Sequence, residues 1–187
     1  TAPAAAVVAG ATYTPTATAT SSLSVAITVD ATSSAVCSIS GGVVSFLTVG
    51  TCVLDFNQAG NTNWNAATQV QQSFSVGKGS QTITVTSTAP AAATSLGATY
   101  TPTATSTSGL SVAITVDATS SAVCSISGGV VSFLASGTCK LNFNQAGNTN
   151  WLAATQVQQS FSVAKTTQTI TVNSTAPAAA TVGDGTY

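Results

Sequence analysis

The chain of 187 residues has no His, no Glu, no Arg and no Met, and only four Asp and three Lys carry charge. Without an imidazole, and with Asp30, Asp55, Asp117 and Asp184 scattered singly, acid/base and metal chemistry are poorly supplied. Ser and Thr are plentiful, but a hydroxyl nucleophile needs a base beside it. The sequence therefore argues against an enzyme, and no cofactor or metal is expected. Lys78, Lys140 and Lys165 cannot neutralise a run of phosphates, and a net charge of −1 gives no field to steer nucleic acid or anionic lipid. No apolar run reaches 18 residues, so no membrane insertion is expected, and no signal peptide stands in the sequence.

What fills the chain instead is 34 Thr, 25 Ser and 32 Ala. A charged fraction of 4% is far below the usual ~25%, while 44% hydrophobic residues argue against ordinary disorder. The chain is expected to fold and to present hydroxyls and amides, rather than ions, to water.

Self-similarity organises it. TAPAAA begins at Thr1, Thr88 and Thr175, and 73 of 87 positions are identical between residues 1–87 and 88–174. The missing Met and the stop at Tyr187 suggest a window within a longer array. The small-residue stretch at Gly77, Gly79 and Ser80 becomes Ala164, Thr166 and Thr167, and the linker is placed there. On that boundary 81–167 is a complete repeat, 1–80 lacks its first strand, and 168–187 supplies the first strand and start of a third.

Periodicity is two throughout, with no helical stripe of useful length. Strands are expected over 11–20, 23–29, 37–40, 43–47, 51–58, 70–76 and 81–87, about seven per repeat, separated by Gly, Ser and Asn clusters. Gly41 with Gly42, and Gly128 with Gly129, read as turns between strands and not as phosphate loops. Pro15 and Pro102 mark an edge or a bulge. Copy differences show which side meets water: Val53 becomes Lys140 and Asp55 becomes Asn142, whereas Cys52, Leu54 and Phe56 recur as Cys139, Leu141 and Phe143. The alternate, invariant set should point inward, with Leu23, Val25, Ile27 and Val29 forming another inner face and Val70, Phe74 and Val76 a third.

Cysteines pair naturally as Cys37 with Cys52 and Cys124 with Cys139, each 15 residues apart. Were the three strands around them laid side by side in one sheet, the partners would be ~10 Å apart, with neighbouring strands ~4.8 Å apart. A disulfide needs Cα atoms within about 7 Å. The third strand is therefore expected to cross to a facing sheet, as in a Greek-key sandwich. Free buried thiols are the alternative; zinc lacks the other two ligands. Disulfides imply an oxidising compartment.

QTITVTSTAPAAA, ATYTPTATAT, AVCSISGGVVSF, GTC and NQAGNTNWNAATQVQQSFSV together resemble the bacterial immunoglobulin-like repeats found in tandem in long secreted and cell-surface proteins of adhesin type. The resemblance covers essentially the whole chain. It implies an all-β fold of tandem immunoglobulin-like Greek-key β-sandwiches. It also implies an extracellular or cell-surface location and a role as stalk or fibre spacer, whose partners are neighbouring repeats or identical chains.

Other readings were open at this level. Trp64 and Trp151, each in an Asn-rich loop, could stack on carbohydrate or close a sandwich end. The alternating Thr of residues 12–20 could match ice or carry sugar, or simply be a charge-free strand. Asn173, Ser174 and Thr175 form a glycosylation sequon. Finally, Gln168, Thr169, Ile170, Thr171 and Val172 could be donated to another chain short of that strand, building a polymer by strand addition.

Overall fold

The computed structural model describes residues 1–175 and 182–183; the rest of the expected third copy, Asp184 included, lies outside the described residues. Among these the chain is all-β, with two short 3-10 turns and no α-helix. In order come β1 (Ala6–Val7), β2 (Ala26–Val29), β3 (Cys37–Ser40), β4 (Val43–Phe46), β5 (Gly50–Asn57) and β6 (Val70–Gly77). The second copy gives β7 (Ile83–Val85), β8 (Ala93–Thr94), β9 (Ala104–Ser106) and β10 (Ala113–Val116). It continues with β11 (Cys124–Ser127), β12 (Val130–Phe133), β13 (Gly137–Asn144) and β14 (Val157–Ala164).

Each copy builds one four-stranded sheet, in the order β1-β6-β5-β2 or β8-β14-β13-β10. The short outer strand is parallel to its neighbour and the other pairs are antiparallel. Opposite lies a hairpin, β3-β4 or β11-β12, extended by a single bridge from Tyr13 to Val44 or from Tyr100 to Val131. The hairpin turns on Gly41–Gly42 and Gly128–Gly129, where positive φ at both residues (55° and 80°; 56° and 78°) matches the twist of the flanking strands. In the second copy β7 pairs with β9, adding to this layer.

The core fills the space between the layers. Val131, Phe133 and Cys124 meet Cys139, Leu141, Phe143 and Val163, and an equivalent cluster gathers around Val44, Cys37, Leu54 and Val76. The layering is that of a β-sandwich. Tyr13 and Tyr100 lock the layers, each hydroxyl donating to a glutamine (Gln72 Oε1, 2.9 Å; Gln159 Oε1, 2.8 Å) while the ring packs edge-on against Phe74 or Phe161.

Several expectations change. Residues 11–20 form no strand; only Tyr13 enters a ladder, and 17–19 have no strand partner among the described residues. The second copy shows why: its counterpart Ala104–Ser106 is a strand because β7 lies beside it. The stretch before residue 11, and its counterpart in the second copy, where no strand is expected, contain β1 and β8. Val70, expected inside, is 62% exposed. Residues 168–172 belong to no sheet and are exposed.

Candidate functional site

Three places gather what the sequence singled out. The first is the disulfide pair. Cys37 and Cys52 join β3 to β5, and Cys124 and Cys139 join β11 to β13, each with Cα atoms 5.8 Å apart and each bridging facing layers. All four sulfurs belong to the buried core. Above each bridge a 3-10 turn is capped by an aspartate: the Asp30 and Asp117 carboxylates accept from the N–H of Thr32 (2.9 Å) and Thr119 (3.0 Å). The Thr119 hydroxyl and the Asn142 amide also donate to Asp117, and with the Thr119 N–H they hold its carboxyl down at about 2; the Thr32 hydroxyl and N–H lower Asp30 likewise. Buried Ser33 and Ser120 tie these turns to β5 and β13, their hydroxyls accepting from the N–H of Val53 and Lys140 at 3.1 Å.

The second place is the junction between copies. In the second copy the loop before β14 is shaped by Asn148, whose Oδ1 accepts from the N–H of Asn150 (2.8 Å) and Trp151 (3.0 Å). The loop then clips the preceding linker. Gly79 N–H donates to Asn150 O, Leu152 N–H donates to Gly79 O, both at 2.9 Å, and Gly79 and Trp151 form a parallel bridge. Lys78 Nζ reaches Asn148 O (2.7 Å), and Asn150 Oδ1 accepts from Val49 N–H (3.1 Å). Trp151 packs against the core of the first copy, not its own. Gly79 is buried beneath it: an added Cβ would stand 2.8 Å from Trp151 Cζ3 and 2.5 Å from Val8 O, so only glycine fits without a shift.

Variation concentrates at this pole. Positions 7, 8, 9, 48, 49, 77, 79 and 80 supply eight of the 14 differences between copies. At the equivalent pole of the second copy, Ser95 replaces Val8 and Thr166 replaces Gly79, and these two bond each other through Ser95 Oγ and the Thr166 N–H (3.3 Å). Successive junctions are thus chemically different, although the bodies they join are nearly identical.

The third place is the slot that β7 fills. Gln81 is its buried polar key: Nε2 donates to Gln145 Oε1 and Leu152 O, both at 2.6 Å, and Oε1 accepts from the Ser108 hydroxyl. Ile83 joins the buried core that contains Phe143, and Val85 and Val157 pack half-buried against it. In the first copy the same region is an open groove of about 610 Å³, lined among others by Ala17, Phe56, Gln58, Trp64, Asn65 and Val70. Phe143 is 0% exposed, whereas its counterpart Phe56 is only half-buried. Trp64, lacking the neighbour that Trp151 has, is 50% exposed on the groove wall.

No protein-family model matches the chain, and no curated protein matches it. Among solved structures it is similar to one titled "Structure of surface layer protein SbsC, domains 1-6", with 16% identity and a TM-score of 0.36, over 76% of this chain and 20% of that one. The chain thus spans about a fifth of that structure's length.

The two tryptophans, alike in sequence, are therefore unlike in place. Trp151 belongs to a junction and Trp64 to a groove. Sequence reasoning missed the tie between Gly79 and Trp151. The available signal was that Gly79 varies together with residues 7–9, the segment it touches. It also missed Tyr13 and Tyr100 as interlayer locks.

Proposed function

We propose that the chain is a structural spacer: tandem immunoglobulin-like Greek-key repeats of a bacterial secreted or cell-surface protein, joined in series as a stalk or fibre. Residues 81–167 are one complete module, 1–80 are a module short of its first strand, and 168–187 open the next.

The observation that carries this reading is the junction. A loop of one copy grips the linker of the copy before it through backbone bonds at Gly79 and through the Trp151 side chain. A flexible tether would need no such fit; a series of beads that transmits load or holds its direction does. The buried disulfides support an oxidising, extracellular setting. The near-absence of charge supports close end-to-end or lateral packing, because little like-charge repulsion keeps copies apart.

Mass analysis of native material under denaturing, reducing conditions tests the covalent array. A chain of hundreds of kilodaltons is expected. A species of 18.2 kDa, or a ladder built on it, would contradict the array.

A further inference from the structure

We propose that residues 8 and 79 select what the junction does: the pair Val8 and Gly79 forms an open socket that locks onto the Trp151 loop of the following copy, whereas a Ser and Thr pair, as at Ser95 and Thr166, closes that socket and makes the linker a hinge. The proposal rests on the reading of the chain as a series spacer. It adds where such a series is stiff and where it bends.

The plug does not vary. Residues 58–64 and 145–151 have the same sequence, and the two loops take the same shape. Asn61 Oδ1 accepts from the N–H of Asn63 (2.8 Å) and Trp64 (3.0 Å), matching Asn148 distance for distance. Gly60 and Gly147 both turn at φ 76°, and the carbonyls of Gln58 and Gln145 accept from Ala67 and Ala154 N–H, both at 2.9 Å. The loop is thus shaped by its own bonds, whether a linker lies under its tryptophan or not. Docking such a preformed loop orders little chain, so selectivity falls to the linker.

The socket does vary. Its frame is common to both copies, with Val8 N–H donating to Gly77 O (3.0 Å) and Ser95 N–H to Ala164 O (2.9 Å). Gly79 is not at positive φ, so glycine is demanded there by space and not by backbone angle. An added Cβ would stand 2.8 Å from Trp151 Cζ3 and 2.5 Å from Val8 O, and the second of these is backbone that cannot swing away. Thr166 carries such a Cβ, and its hydroxyl donates to the carbonyl of Ser95, the counterpart of Val8 O.

The backbone donor is redirected as well. Gly79 N–H reaches Asn150 O of the following copy, whereas Thr166 N–H turns to Ser95 Oγ within its own copy (3.3 Å). A Ser and Thr linker therefore satisfies itself and fills the space the indole needs. Nearly identical beads are joined by two kinds of linker, and two positions per repeat decide between them.

The test moves the second pair into the junction that lies within the 187-residue chain. Val8→Ser with Gly79→Thr does this, and both residues are native to those places in the folded second copy. Nitrogen-15 relaxation then compares the tumbling of the two copies. Wild type should tumble as one body of 18.2 kDa, and the double variant should move toward the values for a body of half that mass. Amide exchange at Leu152 should rise at least about fivefold, the worth of one net hydrogen bond. Gly79→Ala carries the Cβ alone, leaves Val8 in the first core, and should act in the same direction. Exchange at Leu54 and Leu141 should stay unchanged in Gly79→Ala, so that both sandwiches are seen to be folded. Variants that tumble as one body with Leu152 still protected overturn the selector and leave the spacer reading standing. Wild-type copies that tumble independently overturn the lock, and with it the observation that carries the spacer reading.

Discussion

Ile83 and Ile170 occupy the same place in the same five-residue sequence, yet one is 8% and the other 94% exposed. Replacing each with Ala therefore separates packing from sequence. Ile83→Ala deletes three carbons, about 2.4 kcal/mol at ~0.8 kcal/mol per buried carbon, and adds the loss from the void left beside the core. β7 has a single ladder neighbour, β9, and can settle partly into that void. A destabilisation of about 3 kcal/mol is expected, within the usual ~2–5 for Ile→Ala. For a domain of this size it lowers the melting temperature by about 12–24 °C. Ile170→Ala should stay within about 0.5 kcal/mol in the monomer. Amide exchange at Cys139, Leu141 and Phe143 reports the second copy alone. Equal effects from the two variants, or an Ile83→Ala effect below about 0.5 kcal/mol, would refute the assignment of β7 to the second core. By the same reasoning the first copy, with its slot open, should unfold at lower denaturant than the second.

The Cys124→Ala/Cys139→Ala pair should lower the second copy's stability by about 3 kcal/mol, the chain-entropy value for a 15-residue loop, without removing the β signal in circular dichroism; a loss under about 1 kcal/mol would contradict it. Stability should be full above the unfolded aspartate value of about 3.9 and decline as pH falls through about 2, because the folded carboxyl of Asp117 is lowered and protonation favours the unfolded chain. Melting curves from pH 5 to pH 2 check this, and Asp117→Asn should flatten the decline. Gly79→Val should displace Trp151 from the first copy's core while leaving each sandwich folded; in a Trp64→Phe background this reads as a red shift of emission, and unchanged emission would rule the junction out.

Much of the body was legible because its signals are local and strong. The alternation of Cys52, Leu54 and Phe56 against Val53 and Asp55 marks the inner face of β5, and the strand limits of β3 to β6 fall within a residue or so of the periodic runs. Cysteine spacing against strand spacing demanded two layers, and the bridges do join facing layers. What escaped depends on partners. β1 and β8 are two residues long, too short to show a period, and exist because the edge of β6 or β14 holds them. Residues 11–20 alternate well, yet beyond the single bridge at Tyr13 a ladder forms only in the second copy, where β7 supplies the other side. Val70 and Val157 are the same residue in the same run; beside the filled slot Val157 is half-buried, whereas Val70 is exposed.

The site was less legible than the fold for the same reason. A single tryptophan in an Asn-rich loop reads equally as sugar platform or corner, and nothing local separates the two. Gly79, one small residue in a variable linker, decides it for Trp151 by admitting the indole against the preceding copy's core.

Pulling one chain from its two ends tests the central claim most directly, since a series spacer must unfold bead by bead. Two separate unfolding events are predicted, each with the 15-residue disulfide loop locked. Under reducing conditions each extension should grow by about 50 Å, at ~3.4 Å per residue for 15 residues. A featureless extension, a single event for both copies, or increments that ignore reduction would contradict the account.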